Sequence, residues 1–211
     1  MATSDGHVLI DSSLGTEAMV ACSRLEEVGG SIHWHAELAS RLRVPTEFRL
    51  LNPPGYRAAQ NVKVGLGDPI NEMKSITNFL AAGPTGRTPL CAQIREVHQE
   101  ISSISDDLRR TGKKALVVIA SDGAATDGSV SEALRPFQRL PVWIVIKLCT
   151  DDNDIIDYWN KVDEDLELDL DVLDDLSGEA AEVVENNPWL NYGVNLHKLR
   201  EWGTTRKEFD R

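Results

Sequence analysis

Asp11, Ser13, Thr88 and Asp122 are oxygen donors lying in three short segments, and their types suit one hard divalent cation. Magnesium takes about six oxygen ligands and often keeps several waters. Hydroxyls can bind such an ion directly while neighbouring carboxylates hold its waters. The cation then stays under-neutralised, and an Asp or Glu offered by a protein partner can complete the shell. That chemistry is binding and needs no nucleophile. Mg2+ is the expected ion, with Mn2+ or Ca2+ able to substitute.

The elements that must position these donors are legible as alternating strands and helices. An apolar strand begins at His7 and stops at Asp11. Residues Gly15 to Leu25 predict a helix, with Ala18, Met19, Cys22 and Leu25 on one face, and Gly29-Gly30 interrupts it. A weaker helix is expected over Ile32 to Arg43. Glu47–Leu51 and Val62–Leu66 read as strands paired into an antiparallel edge, with Asn52-Pro53-Pro54-Gly55 turning the chain. Pro69–Leu80 suits a short helix. Pro89–Leu108 suits a longer one, with Leu90, Ile94, Val97, Ile101, Ile104 and Leu108 as its apolar stripe and Pro89 in the first turn. Ala115–Ala120 is a continuous apolar run, as expected of a central parallel strand covered on both faces, and Pro141–Leu148 reads as another central strand. Val130–Phe137, Asp151–Leu166 and Ser177–Val184 predict helices, the last capped by Ser177. The Leu/Asp alternation of Leu168–Leu173 predicts a half-exposed strand, and the aromatics after Pro188 are expected to cover the domain. The order predicts an α/β fold: a doubly wound, mostly parallel sheet flanked by helices, with an antiparallel edge strand. Residues 1–211 read as one domain with a short C-terminal extension. Ligands of such sheets sit beyond the carboxyl ends of the strands, where Asp11 and Asp122 fall.

Three segments carry a family resemblance: Asp11-Ser12-Ser13-Leu14-Gly15, Gly86-Arg87-Thr88-Pro89-Leu90 and Ser121-Asp122-Gly123. Their order and spacing resemble the metal-ion-dependent adhesion site of von Willebrand factor A domains, a family of interaction modules with a Rossmann-like fold. The resemblance spans roughly residues 7 to 176. It implies Ser13 and Thr88 as direct ligands, and Asp11 and Asp122 acting mainly through water. Gly15 stands where the family carries a second Ser, so the site is a degenerate one, short of a hydroxyl donor.

Each segment also has a purely structural reading. Ser12 and Ser13 can cap a helix, Thr88-Pro89 can start one, and Asp122-Gly123 can close a turn. Asp127 suits a cap before Val130. His33 and His35 lack a third zinc ligand, and Cys22, Cys91 and Cys149 form no CxxC pair and read as buried thiols. The fifteen acidic residues between Asp151 and Glu185, against one Lys, read as a solvated face.

The formal net charge of −12 opposes nonspecific binding to nucleic acid or anionic lipid. No basic-then-apolar leader opens the sequence and no apolar run reaches the ~20 residues of a membrane span. The expectation is a cytoplasmic protein without membrane insertion. No phosphate-loop, dinucleotide or nucleophile-elbow pattern is present. The leading expectation is a noncatalytic protein-interaction domain. The alternative is a Mg2+-dependent phosphoryl-transfer or hydrolytic enzyme built on the same hydroxyl-rich, acidic cleft.

Overall fold

The computed structural model describes residues 6–11, 17–54, 59–81, 86–150 and 152–203. The chain divides into two compact units, 1–88 and 89–211.

In the first unit, β1 (Gly6–Asp11) and β2 (Glu17–Cys22) pair antiparallel, with Gly6 opposite Cys22 and Asp11 opposite Glu17. The helix expected from Gly15 is therefore corrected: its described part, up to Cys22, is strand. The helix starts later because Ser23 and Glu26 form a reciprocal capping box. The Glu26 N–H donates to Ser23 Oγ (3.2 Å), and the Ser23 N–H donates to the Glu26 carboxylate (2.8 Å). From there α1 (Arg24–Leu42) runs unbroken through Gly29-Gly30. Two glycines cost such a helix about 1 kcal/mol each. Burial of Val28, Ala36 and Ala39 offsets that cost, and Gly29 sits against Leu80.

The antiparallel pair expected next is present as β3 (Thr46–Arg49) and β4 (Asn61–Val64), a ladder of its own. α2 (Pro69–Leu80) follows, with Asp68 accepting the Asn71 N–H (3.1 Å) and Pro69 in the first turn. Val64, Ile76 and Phe79 join the α1 residues in a buried apolar core. The β4–α2 connection admits only glycine at position 65. Its φ is +81°, and a Cβ there would lie 2.0 Å from the Val44 carbonyl oxygen.

The second unit opens with α3 (Leu90–Arg110) and holds a parallel sheet of β5 (Ala115–Ser121), β6 (Val142–Leu148) and β7 (Leu170–Leu173), in that order. The connections are helical. α4 (Val130–Leu134) runs into a 3-10 turn, Arg135–Arg139, between β5 and β6, and α5 (Asn153–Glu164) links β6 to β7. α6 (Leu176–Asn186) and α7 (Val194–Glu201) follow. The α/β class and the helix-flanked parallel sheet of the second unit are thus as expected, and the antiparallel pairs belong to the first unit.

β6 is central, and Ile144, Val145, Ile146 and Leu148 are fully buried. β5 is one of the two edge strands of this sheet and departs from the both-faces-covered expectation, leaving Leu116 and Val118 exposed. β7 departs the other way: Leu170, Asp171 and Leu173 are all buried. α6 is capped by Asp175, which accepts the Gly178 N–H (2.7 Å), and not by Ser177. Tyr192 is buried, but Trp189, expected to cover the domain, is 76 % exposed. No described helix is long and apolar enough to cross a membrane.

Candidate binding edge at the carboxyl ends of the parallel strands

The loop that leaves β5 is pinned at both ends. Ser121 is buried, and its carbonyl accepts the Cys149 N–H (2.9 Å), joining the ends of β5 and β6. Its hydroxyl donates to the Gly123 carbonyl (2.8 Å) and accepts the Gly123 N–H (3.3 Å). At the far end, the Asp127 carboxylate accepts the N–H groups of Cys91 (3.0 Å) and Ala92 (2.8 Å). α3 starts at Pro89 without a side-chain cap of its own, so two of its orphan donors are satisfied from this loop. Ser129 then caps α4 through the Glu132 N–H (3.3 Å). Between the anchors, Asp122 is half-buried while Ala124 and Thr126 are exposed.

Asp127 therefore caps α3 and not the helix that follows it. Partial desolvation opposes its charge, but the two α3 amides and the Cys91 thiol outweigh it and hold the carboxyl below the usual range. The same contact works in reverse on Cys91, which burial and then the Asp127 charge push up, keeping it a thiol at neutral pH. Burial likewise raises the Tyr158 hydroxyl. Truncating the cap with Asp127→Ala should cost about 1 kcal/mol of stability in urea unfolding, with Asp127→Asn recovering part of it. An unchanged midpoint would mean that α3 does not use this carboxylate.

Carboxylates beyond the other strand ends are committed in the same way. Asp152 caps α5 through the Asp154 N–H (3.0 Å), and its own N–H donates to Thr150 Oγ1 (3.2 Å). Asp175 caps α6, and Glu179 accepts the Asp174 N–H (3.0 Å). The acidic segment read as a solvated face is thus in part a set of helix caps.

No protein-family model, curated protein or solved structure matches the chain. Assignment of the site accordingly rests on its own residues. Asp11 ends β1, and Thr88 is a half-buried loop residue of the first unit. Asp122 follows β5 in the second unit, and Ser13 lies outside the described residues. The Mg2+ expected from these four, with Mn2+ or Ca2+ as substitutes, is corrected. Among the described residues, no group of three or more His, Cys, Asp or Glu that could hold a metal ion occurs. A hard cation needs several clustered oxygen donors, and Asp127, Asp152 and Asp175 instead accept backbone N–H groups. The metal-bridged contact to a partner's Asp or Glu is corrected with it.

A second cluster escaped the sequence reading. Lys147 of β6 donates to Glu201 of α7, and Arg200 of α7 donates to Glu179 of α6, all four buried. Arg200 also lies 3.8 Å from the buried Asp171 carboxylate. His197 stands 3.6 Å from Glu201 and 3.1 Å from the Tyr192 hydroxyl. Burial, against the pull of Glu201 and aided by Lys147 and Arg200, lowers the His197 imidazole to about 4. The cluster ties the polar helix α7 to the sheet, which makes it architecture. Its one sequence signal is Lys147 inside the otherwise apolar run Val142–Leu148.

Proposed function

We propose that the chain is a noncatalytic protein-interaction domain, similar to von Willebrand factor A domains, that meets its partner at the loop leaving β5. The observation that carries this reading is the double anchoring of that loop. Ser121 and Asp127 fix its ends to β6 and α3, so exposed Ala124 and Thr126 stand on a rigid frame. Preorganisation of this kind lowers the ordering cost of association. Contact is through these side chains and the backbone, with no ion required. A cytoplasmic location is proposed with it, since Cys91 and Cys149 are buried free thiols that suit a reducing compartment.

Affinity capture from cell extract in EDTA, with the captured protein identified and its binding then measured by calorimetry, tests the reading. Ala124→Arg, on an exposed site, should weaken that binding about 10-fold or more while leaving the melting temperature unchanged. A partner indifferent to Ala124→Arg would sink this surface as the interface. Turnover of a substrate by the purified chain would remove the noncatalytic assignment.

A further inference from the structure

The first unit carries an open groove of about 420 Å³ between α1 and α2. One wall is Glu37, Ser40 and Arg41 of α1, and the other is the stripe Ile70, Met73, Lys74 and Thr77 of α2. These spacings, i, i+3, i+4 and i, i+3, i+4, i+7, are those of helix faces, so two parallel ridges frame the groove. Its base is fixed by the buried Glu72 carboxylate, which accepts from the Ser40 hydroxyl and ties α2 to α1.

The apolar surface here is unusual. Among the described residues of this unit, the exposed large hydrophobics are Leu42, Val44, Leu66 and Ile70, with Leu66 and Ile70 65 % and 67 % exposed. All four lie in the end of α1 and the start of α2, or in the segments adjoining them. The rim charge is positive. Arg41 is paired with Glu37. Lys74 and Arg43 are exposed, and no ion pair to either occurs among the described residues. Of the carboxylates near them in sequence, Glu72 accepts from Ser40 and the Gly65 amide, Glu47 pairs with Arg49 and Lys63, and Asp68 caps α2. This basic rim contrasts with the chain as a whole. Residues 1–88 hold eight basic and nine acidic residues, while 89–211 hold fourteen and twenty-five.

We propose that this groove is a second docking surface, which takes an amphipathic helix of a partner protein whose apolar stripe is flanked by acidic residues. Ile70 and Met73 receive the stripe, while Lys74 faces the flanking carboxylates. This is the helix-in-groove mode, in which apolar anchors give affinity and rim charges select the partner. It goes beyond the β5-loop reading and uses none of its residues.

The test uses the full chain and a labelled peptide of about 16 residues, with Leu at i, i+3, i+4 and i+7 positions and Glu on the flanks. A second peptide carries Lys for every Glu. Fluorescence anisotropy should show the Glu peptide binding at least about 10-fold more tightly than the Lys peptide. Ile70→Ser and Lys74→Glu, both at exposed positions, should each weaken it about 10-fold, with circular dichroism unchanged. Ala124→Arg should leave it unaltered. Equal binding of the two peptides, no binding, or binding indifferent to the groove variants would overturn the proposal. So would concentration-dependent self-association abolished by Lys74→Glu, which would make the occupant a second copy of this chain. Loss of partner capture in Ala124→Arg with no peptide binding would remove the groove and leave the β5-loop reading standing.

Discussion

Lys147→Met is expected to destabilise the second unit by about 3–5 kcal/mol, because it removes the ammonium that donates to the Glu201 carboxylate in a site where that residue is 1 % exposed. Glu201→Met should cost a similar amount by stranding the ammonium on a central strand. The double change Lys147→Met, Glu201→Met removes both charges and fills the space with apolar volume. It should recover most of the loss, since a buried ion pair stabilises little relative to a well-packed apolar pair. Urea unfolding of the three variants closes the cycle. Additive losses, with the double variant the least stable of the three, would show that the pair is not the coupled unit described here.

The same variant has a spectroscopic signature at His197. Burial is the main cause of its low value of about 4, and Lys147 contributes in the same direction. Removing the ammonium should move the imidazole midpoint upward in an NMR titration. The consequence for stability has a definite sign. A group whose folded value is about 4 against an ordinary 6.5 binds its proton more readily when unfolded. Its stabilising contribution is complete above about 6.5 and declines as pH falls towards 4. In Lys147→Met that window narrows from its acid end. An unmoved imidazole would place Lys147 too far away to act on it.

Much of the architecture was legible because period and length are strong signals. Pro69–Leu80 is helix from the first residue to the last, as read, since Asp68-Pro69 starts it and its buried side chains recur with helical spacing. Val142–Leu148 is a buried parallel strand because its run of apolar residues, interrupted by Lys147 alone, favours an interior. The misreadings have local causes. Gly29-Gly30 looks like a break, but the Ser23–Glu26 capping box and the buried Ala36 and Ala39 outweigh it. Along α3 the stripe drifts: Ile104 is exposed, and Ser105 is buried with its hydroxyl turned back to the Ser102 carbonyl (3.0 Å). Asp171 alternates with leucines and so reads as solvent-facing. Only the three-dimensional position of Arg200, twenty-nine residues later, makes its burial tolerable. The end of β5 was legible, but not what the carboxylates beyond it do. Sequence spacing cannot reveal that Asp127 is spent on the first amides of α3, a helix that starts thirty-seven residues before it.

Glu72→Ala is expected to lower the melting temperature by several degrees and to erase one acid-labile step. The Glu72 carboxylate accepts the N–H groups of Gly65 (3.0 Å), Leu66 (3.0 Å) and Gly67 (2.6 Å), together with the Ser40 hydroxyl. The Ser40 hydroxyl and the Gly65 amide, followed by those of Gly67 and Leu66, overcome desolvation and bring the carboxyl down to about 2. Against an ordinary 4.5, the sign is that of a depressed acid. Its contribution is full above about 4.5 and is lost as pH falls through 2. Glu72→Gln keeps the shape but has one accepting oxygen for four donors, so it should fall between alanine and the native residue. Thermal melts at pH 7 and near pH 2 separate this account from a simple loss of packing. The gap between native and Glu72→Gln should be wide at pH 7 and close as the native carboxyl becomes protonated, whereas a packing defect would keep it constant. The same carboxylate joins α2 to Ser40 of α1 and so fixes the floor of the groove. Glu72→Ala should therefore also weaken binding of the acidic amphipathic peptide at neutral pH, even though Ile70, Met73 and Lys74 are all still present, because the two ridges lose the contact that sets their separation.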